Sequence, residues 1–318
     1  MKEIIVGKND AGQRLDRFLS KRFPAMPASL MQKWLRLGRV KLNGKKCARD
    51  VRLTEGDMLR LYISDEYLET PDEQVAWRRI TNPELVVVYE DENIIVLDKP
   101  SGLLCHPDER ETVNTLATRL LAYLYQSGEW RAEEEGAFAP ALCNRIDRNT
   151  RGMVIAAKNA EALRIMNEKI RLREVEKYYR CLVKGTPSPT VGALEGYIVR
   201  DEKEHRVRVY SSPRAGARFA KTAYATLERR GDRTLVECRL ITGRTHQIRA
   251  QFAAAGWPLV GDGKYGVLSR GERAGQELCS YRLKFVWKTD AGALEYLNGM
   301  ELRIDDGFGF EENKVQII

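Results

Sequence analysis

The part of the chain from Leu85 onwards contains more predicted strands than helices, and the two do not alternate regularly. Its first two apolar runs surround the polar stretch Glu90–Asn93, which predicts an antiparallel hairpin. Further strands are predicted where apolar residues run together or alternate, at 153–158, 178–185, 197–209, 220–227 and 234–241. Because a parallel α/β fold needs a helix after each strand, the pattern favours an α+β fold with a mixed or antiparallel sheet.

Three segments of this region have the periodicity of amphipathic helices, at 115–125, 159–175 and 246–256. Asn159 stands where the second helix needs an N-cap. The segment 128–140 is rich in glutamate and lacks periodicity, so we expect it to be a surface insertion.

Residues 1–63 have the composition of a separate, smaller α/β unit. Leu15, Phe18 and Leu19 share one face of a predicted helix, a second helix follows, and Asn43-Gly44 marks the turn of a hairpin. Residues 64–84 are polar, contain two prolines and are expected to link this unit to a catalytic domain at 85–305, followed by a tail at 306–318. We expect a chain that begins near Pro83 to fold without the smaller unit.

Positive charge is concentrated in the smaller unit. Between Lys33 and Arg52 there are eight basic residues and one acidic residue, Asp50. Such a cluster on a helix and hairpin is typical of a surface that binds phosphates, although a solvated basic face remains an alternative. The candidate phosphate-binding residues are Lys33, Arg36, Arg39, Lys41, Lys45, Lys46 and Arg49. The whole chain has 53 Lys and Arg against 45 Asp and Glu, a net charge of +8 that also favours a polyanionic partner.

Several classes of protein are disfavoured. No run of about 18 apolar residues is present, so no membrane span is predicted, and the polar N-terminal residues lead us to expect a cytoplasmic protein. The six cysteines are scattered and are expected to be reduced. The three histidines, His106, His205 and His246, are too dispersed to predict a zinc site, so no metal is expected. The sequence contains neither the P-loop of nucleotide hydrolases nor the motifs of serine hydrolases and dinucleotide-binding proteins.

Three polar segments interrupt the apolar strands and are candidates for chemistry. The first, 143–152, places Asp147 near two arginines; the second, 176–180, contains adjacent tyrosines; the third, 242–249, places an arginine near the start of a helix. Taken singly, each also has a structural interpretation: a turn-capping aspartate, a packing tyrosine, and an arginine that opposes the helix dipole for an unknown reason.

Taken together, these segments resemble the RluA-type pseudouridine synthases, which convert uridine in RNA to pseudouridine. The resemblance rests on four ordered segments, at 97–107, 144–158, 176–185 and 240–266. The N-terminal unit is similar to the RNA-binding module of ribosomal protein S-four, so the resemblance implies that its basic cluster binds RNA.

The resemblance implies a role for particular residues. The catalytic aspartate of the family corresponds to Asp147, its active-site tyrosine to Tyr179 rather than Tyr178, and the arginine that pairs with the aspartate to Arg249. The residues implied to contact the substrate are Arg145, Arg244, His246 and Gln247. Two positions depart from the family pattern: Asn144 replaces a histidine, and Arg151 replaces a serine.

The implied reaction breaks the bond between uracil and ribose and rejoins the base through a ring carbon, so it needs no cofactor. A carboxylate can act as the nucleophile or stabilise the intermediate, and a tyrosine can stack on the detached base. The expected substrate is large-subunit ribosomal RNA rather than transfer RNA, and the expected state is a monomer. The alternatives are a non-catalytic RNA-binding or ribosome assembly protein and, less favoured because no glycine-rich cofactor loop follows a strand, a methyltransferase.

Overall fold

The computed structural model describes residues 1–68, 72–201, 204 and 206–309, and within them it contains two β-sheets and five α-helices. The helices are α1 Leu15–Arg22, α2 Ala28–Arg36, α3 Leu116–Gln126, α4 Ala160–Arg171 and α5 Gln247–Ala254. The strands of the smaller sheet are β1 Lys2–Ile5, β2 Val40–Leu42, β3 Lys45–Lys46 and β4 Met58–Leu61. The strands of the larger sheet are β5 Val87–Glu90, β6 Ile94–Lys99, β7 Ala141–Leu142, β8 Arg151–Ala157, β9 Val175–Lys184, β10 Val191–Asp201, β11 Arg206–Tyr210, β12 Arg218–Arg230, β13 Arg233–Leu240, β14 Leu278–Phe285 and β15 Glu301–Arg303. Single-turn or short 3-10 helices occupy Lys8–Asp10, Asp65–Tyr67, Asp72–Arg79 and Gly292–Leu297.

The N-terminal unit is a four-stranded sheet in the order β1-β4-β2-β3, covered by α1 and α2. Leu15, Phe18 and Leu19 are fully buried in its core, which confirms the predicted face of the first helix. The hairpin β2–β3 turns at Asn43 and Gly44, both of which have positive φ. Strand β1 was not predicted, because only four residues alternate before the chain turns.

The larger unit is one twisted sheet whose main path is β11-β10-β12-β13-β9-β14-β8-β6-β5. All of its strand pairs are antiparallel except β14–β8, so the predicted mixed sheet is confirmed. Alternate residues of β6 and β8 contribute to two cores: Ile95 and Val154 face α3, and Ile94 and Ile155 face α4. The antiparallel pairs bring residues far apart in sequence to the same end of the sheet.

The predicted single strand at 197–209 is wrong. It covers the end of β10 and most of β11, which pair antiparallel as a hairpin. The seven consecutive polar residues at 200–206 separate the apolar residues of the two strands and were the available signal for dividing the prediction.

The segment 64–84, expected to be a linker, contributes side chains to the core of the larger unit. Trp77 is only 4% exposed and packs against Tyr125 and Trp130, with ring centroids 4.6 and 5.2 Å away. A chain that begins near Pro83 would lack this side chain. A truncated chain that keeps the core of the larger unit must therefore begin before Asp72.

We expect Trp77→Ala to lower the free energy of unfolding by about 3–5 kcal/mol, since a buried aromatic side chain is lost and a cavity remains. Urea denaturation of the full chain measures the change. Arg79→Ala on the same short helix is the control; its side chain is exposed, so an effect under about 0.5 kcal/mol is expected. Equal effects of the two substitutions would contradict the packing of Trp77.

The insertion at 128–140 contacts the N-terminal unit. The carboxylate of Asp10, which is fully buried, accepts hydrogen bonds from the backbone N–H of Ala137 at 3.0 and 3.1 Å. Asn9 donates to Glu135 at 2.8 Å and accepts from the backbone N–H of Ala160 at 3.1 Å. The two units are therefore joined by polar contacts as well as by the chain between them.

Gly136 permits this close approach. A Cβ atom at position 136 would lie 2.3 Å from Oδ2 of Asp10 and 2.7 Å from a ring carbon of Phe18. Burial raises the pKa of Asp10, and the hydrogen bonds that it accepts from the backbone of the insertion partly oppose this effect.

Among the residues that the structure describes, no helix is long and apolar enough to cross a membrane.

Candidate active site

A cavity of about 280 Å³ opens near the start of β9 and the end of β13, between the loop that precedes β8 and the start of α5. Its walls come from all three polar segments identified in the sequence. The lining residues among the predicted site residues are Arg145, Asp147, Tyr179, Arg244, His246, Gln247 and Arg249. The antiparallel register explains the convergence, because Tyr179 on β9 lies opposite Cys238 near the end of β13, from which the chain leads to α5.

Arg249 joins two carboxylates. Its Nη1 donates to Oδ2 of Asp147 at 2.8 Å, while Nε and Nη2 donate to the two oxygens of Asp262 at 2.7 and 3.0 Å. Burial alone would lower the pKa of Arg249, but the hydrogen bonds and charges of Asp262 and Asp147 raise it. The guanidinium is therefore permanently charged, and its bidentate contact with Asp262 sets the direction from which it meets Asp147.

Asp262 is held in turn by its own loop. It is 2% exposed and also accepts from the backbone N–H groups of Lys264 and Tyr265 at 3.0 and 3.3 Å. The sequence analysis included this loop in the resemblance but gave Asp262 no role. An acidic residue between two glycines was the available signal in the sequence.

Tyr179 and its neighbour Tyr178 lie on opposite faces of β9, as strand alternation requires. Tyr179 is 6% exposed and lines the cavity; burial raises its pKa, so the phenol is neutral at physiological pH. Tyr178 donates to Glu176 at 2.8 Å, and the guanidinium of Arg282 lies 3.7 Å from its ring centre. The tyrosine that the resemblance implied is thus the one that reaches the cavity.

His246 is held at an unusual backbone conformation. Its φ of 52° lies in the left-handed region, where few residues other than glycine occur, and it immediately precedes α5. Its Nδ1 lies 2.8 Å from the hydroxyl of Tyr265, and its Nε2 lies 3.8 Å from Oδ2 of Asp147. Burial lowers the pKa of His246.

The hydroxyl of Tyr265 also accepts from the backbone N–H of Val207 at 2.8 Å. Its own proton is then directed to Nδ1 of His246, so we assign the neutral imidazole with its proton on Nε2, facing Asp147. Tyr265 was not assigned a role from the sequence, since only the fold brings it beside His246.

Gln247 is placed at the cavity, but its amide is already engaged within the protein. Its oxygen accepts from the Thr242 hydroxyl at 2.8 Å and the Arg244 backbone at 3.0 Å, and its nitrogen donates to Lys221 and Thr222 at 3.0 and 2.8 Å. All four hydrogen-bonding positions of the amide are used. This geometry does not support a direct contact of Gln247 with substrate and instead makes it a support for the 242–247 loop.

Lys99 ties the loop of Asp147 to the end of β6. It is fully buried and donates to the carbonyls of Pro100, Leu103 and Arg148 at 2.9, 2.7 and 2.8 Å. Burial lowers its pKa to about 8, so the ammonium is still mainly charged at pH 7 and serves all three carbonyls. Arg148 directly follows Asp147, so this contact restrains the carboxylate.

The two departures from the family pattern have different surroundings. Asn144 lines the cavity; its oxygen accepts from the backbone N–H of Ile155 at 2.8 Å, and its buried nitrogen has no partner within the described part of the chain. Arg151 instead pairs with Asp98 at 2.9 Å and is not among the residues that line the cavity. Only the first departure therefore bears on the site.

Comparison with known proteins adds independent findings. The family model described as RNA pseudouridylate synthase matches residues 93–254, and the S4 domain model matches residues 13–59. A protein of Mycoplasma genitalium named as an uncharacterized RNA pseudouridine synthase is 34% identical over 291 residues, covering 89% of this chain and 88% of its own. The ribosomal large subunit pseudouridine synthase C of Escherichia coli K12 is 30% identical over 268 residues, covering 84% of this chain and 80% of its own.

The fold is also found in a solved structure. The human RNA pseudouridylate synthase domain containing 1 superposes with a TM-score of 0.55 at 22% identity, covering 71% of this chain and 85% of its own. At this identity the similarity concerns the fold alone.

Proposed function

The chain belongs to the RNA pseudouridylate synthase family, and from this premise we propose that it isomerises uridine in large-subunit ribosomal RNA with Asp147 as the nucleophile. Family membership makes the chain an RNA pseudouridine synthase with an N-terminal S4 domain. The target RNA, the residue roles, the monomeric state and the cytoplasmic location are our proposals.

The observation that carries the assignment of Asp147 is its pairing with Arg249 inside a cavity that also contains Tyr179. Only Oδ2 of Asp147 is engaged among the described residues, which leaves Oδ1 for the reacting nucleotide. The hydrogen bond from Arg249 orients the carboxylate, as a nucleophile or an electrostatic stabiliser requires. The neutral phenol ring of Tyr179 stacks on the detached uracil and holds it in the cavity while the base turns.

The choice of ribosomal RNA rests on similarity. The Escherichia coli relative is named for the large ribosomal subunit, and this chain covers most of its length. A uridine inside folded RNA must leave its stack to enter the cavity, at a cost of about a few kcal/mol, and phosphate contacts by the N-terminal unit offset that cost.

Mapping pseudouridines across total RNA, with and without the gene for this chain, tests the proposal. We expect the loss of one or a few sites in large-subunit ribosomal RNA. Loss confined to transfer RNA would move the target while keeping the reaction. If no site is lost and the purified protein is inactive on both RNAs, the non-catalytic RNA-binding alternative gains support.

The basic cluster of the N-terminal unit gives a further prediction. Lys33 and Arg36 are exposed on α2, so Lys33→Gln with Arg36→Gln should reduce the slope of log affinity against log salt by about two units. Filter binding to a large-subunit ribosomal RNA transcript at several salt concentrations measures the slope. The matched control is Arg17→Gln with Lys21→Gln on α1, which are equally exposed but lie outside the cluster. Equal slopes for the two pairs would refute the role of the cluster.

A further inference from the structure

A second depression of about 600 Å³ adjoins the catalytic cavity. It lies between the C-terminal end of α4, the start of β9 and the end of β13. The two depressions share wall residues, namely Ile170, Lys177, Leu240, Gly243 and Arg244. We call the second depression the basic groove, because six of its wall residues are cationic and one is acidic: Arg171, Arg173, Lys177, Arg239, Arg244 and Lys288 against Glu176.

Some of these charges are already neutralised within the protein. Arg171 pairs with Glu168, and Arg239 pairs with Glu176 at 2.5 Å. In the part of the chain that the structure describes, the exposed Arg173 and Lys288 have no carboxylate within ion-pair distance. The groove therefore retains uncompensated positive charge in a concave surface, which attracts polyanions.

A buried ion pair restrains the backbone next to Arg173 and Lys288. Lys169 pairs with Glu174 at 2.8 Å, and both contact Thr289. Arg173 directly precedes Glu174, and Lys288 directly precedes Thr289, so the network restrains both cationic positions. Arg173 also has a φ of 62°, a left-handed conformation that the preceding turn holds through a bond to Ile170 at 3.1 Å. Such restraint reduces the entropy lost on binding a ligand.

Lys177 connects the groove to the cavity. It lies on the same face of β9 as Tyr179, two residues away, and lines both depressions. Burial lowers the pKa of Lys177, and no carboxylate among the described residues lies within ion-pair distance of its ammonium to oppose this effect. A phosphate at this position would provide the countercharge that the protein itself does not supply.

We propose that the basic groove binds the phosphodiester backbone of the RNA strand on one side of the target uridine, where that strand leaves the catalytic cavity. This inference rests on the proposed function, because it takes the occupant of the cavity to be a uridine within RNA. A strand that continues from a flipped nucleotide carries one negative charge per residue, which suits a concave surface with cationic wall residues, two of which, Lys177 and Arg244, also line the cavity. The groove then contributes affinity and positions the nucleotide, without reading its base.

The test removes Arg173 and Lys288 together, as Arg173→Gln with Lys288→Gln in the full chain. Both side chains are exposed and neither lines the catalytic cavity. We measure binding of a fluorescein-labelled oligouridylate of about twelve residues at several salt concentrations. Each phosphate contact to a single strand contributes about 0.7 to the salt slope, so a decrease of about 1.4 units is expected. An unchanged slope would overturn the proposal.

The matched control is Arg164→Gln with Arg229→Gln, which removes the same charge from exposed positions of the catalytic unit outside the groove. Its slope is expected to equal that of the wild type. A decrease as large as that of the groove variant would assign the effect to net charge and overturn the proposal.

Turnover of a large-subunit ribosomal RNA transcript separates this inference from the proposed function. The groove variant is expected to raise KM and leave kcat within about twofold, because it removes binding energy common to substrate and transition state. A wild type that forms no pseudouridine in this RNA contradicts the proposed target, whereas the oligouridylate slopes still decide whether the groove binds a strand. A lowered kcat with unchanged KM would contradict the binding role of the groove.

Discussion

Asp147→Asn is expected to reduce pseudouridine formation by at least about a thousandfold, or about 4 kcal/mol in activation free energy. The substitution preserves the size of the side chain and an oxygen that accepts from Arg249, but it removes the negative charge. A neutral amide neither attacks as a nucleophile nor stabilises developing positive charge, so the chemical step fails. RNA binding is expected to stay close to the wild type, since its phosphate contacts come from lysines and arginines elsewhere.

The fold should survive this substitution. Arg249 keeps both hydrogen bonds to Asp262, so its buried charge is still compensated. The cost in stability is therefore expected to be about 1–3 kcal/mol, at the low end for a disrupted ion pair.

Pseudouridine content after nuclease digestion and chromatography of the treated RNA measures the activity. Asp290→Asn, at an exposed acidic residue that does not line the cavity, is the control and should retain full activity. Activity of Asp147→Asn within tenfold of the wild type would show that another residue does the chemistry.

Arg249→Lys is expected to lower activity by about a hundredfold and the free energy of unfolding by about 1–3 kcal/mol. Lysine keeps the positive charge but lacks the planar fork, so it cannot bind Asp262 through two nitrogens and reach Asp147 through a third. If the lysine ammonium pairs with Asp262, Asp147 loses its partner. If it pairs with Asp147, the buried charge of Asp262 is left uncompensated. Both arrangements displace the catalytic carboxylate.

Denaturation by urea and single-turnover rates on the same preparation separate the two effects of this variant. Arg164→Lys on α4 is the control, because Arg164 is exposed and does not line the cavity. A variant of Arg249 that loses stability while keeping the wild-type rate would limit this arginine to a structural role.

Apolar runs and the alternation of apolar residues were sufficient to predict many strands of the larger sheet, because strands bury one or both of their faces. They did not predict the central strand β14 at Leu278–Phe285. The prediction of one strand at 197–209 failed because the polar run at 200–206 was not taken as the boundary between two strands. These patterns also missed the burial of Trp77, a single aromatic residue in a polar segment whose ring partners, Tyr125 and Trp130, lie about 50 residues away in the chain. When a single side chain is buried by residues distant in the chain, the sequence around it shows no periodic pattern of apolar residues.

The candidate site could be predicted only in part. Motif resemblance was enough to select Asp147, Tyr179 and Arg249, and the fold brings all three to one cavity. The contacts of Asp262 with Arg249 and of Tyr265 with His246 were not predictable, because they form only when the 261–266 loop folds back against α5. Gln247 shows the converse, since a polar residue within a motif turned out to have its hydrogen bonds filled by the protein.

The contact between Asp10 and the segment around Gly136 has a consequence for target choice. Because the N-terminal unit is held against the catalytic unit, the span between its cationic surface and the cavity is constant. We therefore expect the proposed RNA to be selected by spacing, so that a uridine is modified when it lies at that span from the folded feature that the N-terminal unit binds. Loosening the contact, for example by a side chain at position 136, would broaden the set of modified uridines without any change in the catalytic residues.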